Sequence, residues 1–146
     1  MEIGPFVTRA VLTVDQNESL RAAAASMMER GVGSAVVLTD GKPSGIVTDR
    51  EALRAIAQGK DAGRSTVVDF VTGKLTTVVP SLDILEAARI MRQKGFRHLV
   101  VVDEQGGLLG VFSMRDLVVG LLEERASLVA QPGGAEGAAS SDRSPA

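Results

Sequence analysis

The sequence predicts a mixed α/β (α+β) fold made of one small unit used twice, with the two copies packed sheet against sheet as one module. Three observations lead there. An apolar helical stripe recurs: Leu20, Ala23, Ala24 and Met27 return 64 residues later as Ile84, Ala87, Ala88 and Met91. A Val-rich run follows each stripe, and a Gly-apolar-apolar-Ser/Thr element then opens a further helix. A unit of roughly 50 residues buries its own faces poorly, so two are expected to share a core.

In chain order, residues 11–14 and 76–79 read as short strands before each stripe. The stripes stand at i, i+3, i+4, i+7, the spacing of a core-facing helix. Gly31 and Gly95 come four residues after each Met, suited to ending those helices in the left-handed conformation. Ala35-Val36-Val37-Leu38 and Leu99-Val100-Val101-Val102 are β-branched runs and read as buried strands. After a turn in each copy, Gly45-Ile46-Val47-Thr48 and Gly110-Val111-Phe112-Ser113 close a hairpin, and helices open at Asp49 and Met114. The order is β-α-β-β-α, twice. The first copy, with an N-terminal segment, occupies residues 1–57, a polar connector 58–68, and the second copy 69–125. Residues 126–146, rich in Gly, Ala, Ser and Pro, read as a disordered tail.

Composition narrows the function. Of 146 residues 45% are hydrophobic and 23% charged, the balance of a soluble globular chain. A net charge of −2 with no basic stripe argues against nucleic acid as a partner. The absence of cysteine removes disulfides, thiolate metal sites and thiol nucleophiles. No apolar run approaches the roughly 20 residues of a membrane span, and the first residues lack a secretory pattern, so a cytoplasmic location is expected. His98, the only histidine, has neither a partnered nucleophile nor companion metal ligands. No set of nucleophile, base and orienting group presents itself, so an enzyme is not expected, nor any catalytic or metal-binding residue.

The twice-repeated pattern resembles the CBS domain, named after cystathionine β-synthase, which occurs in tandem pairs called Bateman modules. The resemblance rests on a helix ending Met-x-x-x-Gly and on the element Gly45-Ile46-Val47-Thr48-Asp49-Arg50-Glu51, repeated as Gly110-Val111-Phe112-Ser113-Met114-Arg115-Asp116. It spans about Arg9 to Leu122. It implies two intertwined βαββα units with pseudo-twofold symmetry, two clefts between them and a disc-shaped dimer of modules. It also implies an adenosine-containing regulatory ligand in the clefts (AMP, ADP, ATP or S-adenosylmethionine), with occupancy relayed to an effector protein that the sequence does not identify.

Residue chemistry points to the same positions. Thr48 and Ser113 stand where a strand becomes a helix, so backbone N–H groups and the positive dipole end favour a phosphate beside their hydroxyls. Glu51 and Asp116 lie one turn on, where a carboxylate can accept from ribose hydroxyls. The same Ser/Thr-x-x-acid pattern is a capping box, and the two roles are compatible. The resemblance places basic residues at the start of the middle strand, facing the other copy's hydroxyl-acid motif. Arg97 and His98 stand there in copy two, whereas copy one has Gly33 and Ser34. One cleft is therefore expected to gather Thr48, Arg50, Glu51, Arg97 and His98, and the other Ser113, Arg115 and Asp116 with Gly33 and Ser34. Glu51 replaces the usual aspartate, and Val100 stands where the family usually has proline. In the last helix Met114, Leu117, Val118, Leu121 and Leu122 form one apolar stripe, assigned to homodimer formation. The expected function is a sensor module that binds an adenine nucleotide and signals in trans. The alternative is a homodimeric protein-interaction module without a ligand.

Overall fold

The computed structural model describes residues 1–71 and 75–130. The first unit runs β1 (Thr13–Asp15), α1 (Leu20–Arg30), β2 (Ser34–Thr39), β3 (Lys42–Thr48), α2 (Asp49–Ala57). The second runs β4 (Thr77–Val78), α3 (Ile84–Lys94), β5 (His98–Val102), β6 (Leu108–Ser113), α4 (Met114–Ala130). Each unit holds a three-stranded sheet in which the middle strand pairs parallel with the first and antiparallel with the third.

Local chemistry sets the helix ends. Ser19 and Asp83 cap α1 and α3 by accepting from Ala22 N–H and Leu85 N–H, each at 3.0 Å. Gly31 and Gly95 end these helices at φ 65° and 70°, as their spacing predicts. The third strands begin before their glycines, at Lys42 and Leu108, because the hairpin ladder extends back towards each turn.

Alternation along the central strands sorts the core into three layers. Ala35 and Val37 face Leu20, Ala23 and Met27 of α1, while Leu99 and Val101 face Ile84, Ala87 and Met91 of α3. The opposite faces meet each other: Val36, Val100, Val102 and Val111 pack between the sheets, flanked by Ile46 and Leu108. Val36 and Val100 are each 1% exposed. Burial of such a side chain stabilises the fold by about 1.5–3 kcal/mol. This sheet-to-sheet layer is what makes one body of two units.

The units also exchange their leading segments. Ile3 is fully buried beside Ile84 and Leu117 in the second core, and its N–H donates to the Leu82 carbonyl at 2.9 Å. Thr8 and Val111 exchange two backbone hydrogen bonds of 2.9 Å. Reciprocally, Val67 and Phe70 enter the first core, and Leu20 N–H donates to the Ser65 carbonyl at 2.8 Å. The segment assigned to the first copy thus packs on the second, and the end of the polar connector packs on the first. Short apolar stretches such as Ile3 to Phe6 show no period, so their destination is set only in three dimensions.

The glycines of β3 and β6 receive these crossing segments. A Cβ on Gly110 would lie well inside 3.0 Å of the Thr8 carbonyl oxygen, and one on Gly45 well inside 3.0 Å of a Val71 methyl. Helix α4 runs through Ala126 to Ala130, five residues that the sequence reading assigned to the tail. Ala126, Leu128 and Ala130 favour helix there, and the composition turns only at Gln131-Pro132. The rest of the expected tail lies outside the described residues.

Candidate functional site

Two clefts flank the junction of the sheets, at the points where β3 becomes α2 and β6 becomes α4. At the first, Thr48 is extended (φ −125°, ψ 171°) and Glu51 turns back to accept from its N–H at 3.0 Å and its hydroxyl at 2.5 Å. At the second, Asp116 accepts from Ser113 N–H at 2.8 Å and Ser113 Oγ at 2.9 Å, while Asp116 N–H donates to Ser113 Oγ at 3.1 Å. Both motifs are therefore realised as caps that preorganise the hydroxyl and the acid. Asp49 N–H donates to the Gly33 carbonyl at 3.0 Å and Met114 N–H to the Arg97 carbonyl at 2.9 Å. The first amide of each helix is thus committed to the protein rather than open as the sequence reading supposes. The next one, on Arg50 or Arg115, has no protein acceptor among the described residues.

The larger cleft has a volume of about 570 Å³. Thr48, Arg50, Glu51, Arg97 and His98 all line it. Ile46, Val71, Leu75 and Val100 supply apolar walls. Sequence reasoning missed Arg54 and Lys94, which bring the cationic side chains to four, with Arg50 and Arg97, against the carboxylates of Asp49 and Glu51. Arg54 pairs with Glu51 at 3.2 Å and so neutralises the acid beside the helix start. The i, i+3 spacing on α2 is the signal that could have found it. Cavities of roughly 300–1,000 Å³ with apolar walls and a few convergent polar groups are the usual form of small-molecule sites.

The smaller cleft, about 360 Å³, is lined by Ser113, Arg115 and Asp116 together with Gly33 and Ser34. Thr8 belongs here too: its hydroxyl donates to both oxygens of Asp116 at 3.2 Å. Thr8 reaches the site on the crossing segment, for which the sequence carries no signal. One grouping differs from expectation. Arg97 and His98 line the smaller cleft as well as the larger, and Gly33 lines both. The reason is register, because His98 is the cross-strand partner of Ser113 while it borders the cleft of Thr48.

His98 is half-buried, and burial pushes its imidazole below the ordinary value of 6.5. Asp49 opposes that shift, the Arg97 charge reinforces it and Asp116 opposes it. The last-helix stripe divides. Leu117 and Leu121 turn into the second core, whereas Met114, Val118 and Leu122 face outward, at 41%, 51% and 66% exposure. Leu53 and Ile56 on α2 are similarly open, at 66% and 74%. No helix among the described residues is long and apolar enough to cross a membrane.

The family model of the CBS domain matches the chain twice, over residues 2–58 and 67–123. The CBS domain-containing protein YhcV of Bacillus subtilis is 35% identical over 114 residues, covering 77% of this chain and 80% of that protein. The uncharacterized protein MK0525 of Methanopyrus kandleri is 31% identical, and the match covers 81% of this chain but only 61% of that protein's length. A putative signal-transduction protein with CBS domains from Burkholderia ambifaria is similar in structure with a TM-score of 0.78 and 28% identity, covering 84% of this chain and 95% of that one. A CBS domain protein from Pyrobaculum aerophilum, PAE2072, solved in complex with AMP, matches with a TM-score of 0.73 and 25% identity over 96% of this chain and 99% of that one.

Proposed function

The chain belongs to the CBS-domain family in both of its halves, and on that footing we propose that it is a regulatory module whose larger cleft binds an adenine nucleotide, AMP, ADP or ATP, and signals occupancy in trans. The observation that carries this reading is the cleft itself, where a helix N-terminus, four cationic side chains and the Glu51 carboxylate converge beside apolar walls. Thr48 and the Arg50 N–H would hold the phosphate with Arg97, and Glu51 the ribose. Ile46, Val71 and Leu75 would flank the adenine. The AMP complex of the Pyrobaculum relative supports the choice of ligand class. S-adenosylmethionine lacks a phosphate and carries a net positive charge, so four cationic side chains favour a nucleotide over it. The test is thermal unfolding and calorimetry with AMP, ADP, ATP and adenosine. Stabilisation by the nucleotides beyond that by adenosine is the expected result. No shift and no heat at millimolar nucleotide leaves the ligand-free interaction module as the function.

The pH dependence carries a sign. His98 titrates below 6.5 in the fold, so the unfolded chain binds its proton more readily and ligand-free stability falls as pH falls through that value. A bound phosphate works against that preference, because the imidazolium then faces an anion as well as Asp49 and Asp116, against the burial and the Arg97 charge that disfavour it. The thermal shift given by AMP should therefore grow from pH 8 to 6.5, above the second phosphate ionisation near 6. Adenosine should show no such trend, and His98→Gln should flatten it.

The same reading includes a homodimer through the outward faces of α4 and α2. Isolated exposed apolar residues are ordinary, but Met114, Val118 and Leu122 at i, i+4, i+8 form a continuous stripe. Leu122→Glu should convert dimers to monomers by light scattering, because a charge is costly in an apolar contact. Leu121→Glu should unfold the second unit instead, since Leu121 packs against its core.

A further inference from the structure

We infer that the two clefts are antagonistic for anionic ligands, because they share one pair of basic residues: a nucleotide held in the larger cleft by Arg97 and His98 weakens nucleotide binding in the smaller. This rests on the proposal that the larger cleft takes an adenine nucleotide.

The sharing is geometric. Arg97 and His98 form part of the lining of both cavities. In the first unit Ser34 pairs with Thr48 across β2 and β3, and in the second His98 pairs with Ser113 across β5 and β6. The two positions are equivalent in the repeat, yet Gly33 and Ser34 carry no charge, so two clefts are served by a single basic pair. Arg97 makes no ion pair among the described residues and is open to either side. Asp49 lines the larger cleft with His98, and Asp116 lines the smaller with the same His98.

A phosphate in the larger cleft has two effects on the smaller one. It engages the guanidinium that the second phosphate would use, and it sets a charge of about −1.5 to −2 near that position. Losing one charge-assisted hydrogen bond costs tenfold or more in affinity. A neutral nucleoside needs neither the guanidinium nor relief from the charge, so the module saturates as one anion with one neutral ligand more readily than as two anions. The coupling is reciprocal by linkage.

The experiment is calorimetric titration of the full chain with AMP, beside two variants that weaken only the larger cleft. Thr76 lines the larger cleft, so Thr76→Trp fills it, and Glu51→Ala removes the proposed ribose acceptor from a partly exposed position. In the native chain the second AMP should bind at least about tenfold more weakly than the first. In Thr76→Trp the smaller cleft should take AMP about tenfold more tightly than it does as the second site of the native chain. In Glu51→Ala the constant for the smaller cleft should likewise be tighter than that of the second site in the native chain, which keeps the test open if the tryptophan variant does not fold. A constant for the smaller cleft that is the same in native and variant chains overturns the antagonism and leaves nucleotide binding standing. Absence of any AMP or adenosine binding in the native chain overturns both, and the two failures are thereby distinguished.

Discussion

Gly110→Ala is expected to destabilise the module by about 3 kcal/mol and to lower its melting temperature by about 10 °C. The added methyl would overlap the Thr8 carbonyl oxygen and sit close to a Val7 methyl. The oxygen is backbone and accepts from Val111 N–H, while Thr8 N–H donates back to the Val111 carbonyl, so it cannot step aside without breaking the bridge that ties the N-terminal segment to the second sheet. Gly45→Ala is the matched control. The three atoms nearest its methyl all belong to the Val71 side chain rather than to hydrogen-bonded backbone, so the loss should be smaller, about 1 kcal/mol. Equal and small losses in both variants, measured by denaturant unfolding, would show that the crossing segment yields freely and does not lock the units together. Gly110→Ala should also release the Thr8 hydroxyl from Asp116 and so alter the smaller cleft before the larger.

Arg97→Ala is expected to weaken AMP binding 10- to 150-fold, the cost of one hydrogen bond to a charged group, about 1.5–3 kcal/mol. The side chain is exposed, lines both clefts and lies outside the three apolar clusters, so the variant should fold with native stability. Adenosine affinity should change by less than about threefold, because the lost contact is to phosphate. That contrast separates a phosphate contact from a general loss of cleft shape, which would weaken both ligands equally. Equal losses for AMP and adenosine would remove Arg97 from the phosphate site.

The element order and both caps were legible in the amino-acid sequence. The stripes at Leu20 and Ile84 have the helical period, Gly31 and Gly95 sit where a left-handed residue must follow, and Thr48-x-x-Glu51 and Ser113-x-x-Asp116 close within one turn. These are local features, governed by neighbours three or four residues away. Three matters were decided only by tertiary structure. The division of the α4 stripe into an inward Leu117–Leu121 pair and an outward Met114, Val118 and Leu122 face depended on which side met α3. The exchange of leading segments, which brings Ile3 to the second core, Val67 to the first and Thr8 to Asp116, joins residues as many as 108 apart. And the placement of Arg97 and His98 against both clefts followed from the register of β5 with β6 and the packing of one sheet on the other. Periodicity reports which face of an element is apolar, but not which other element will cover it.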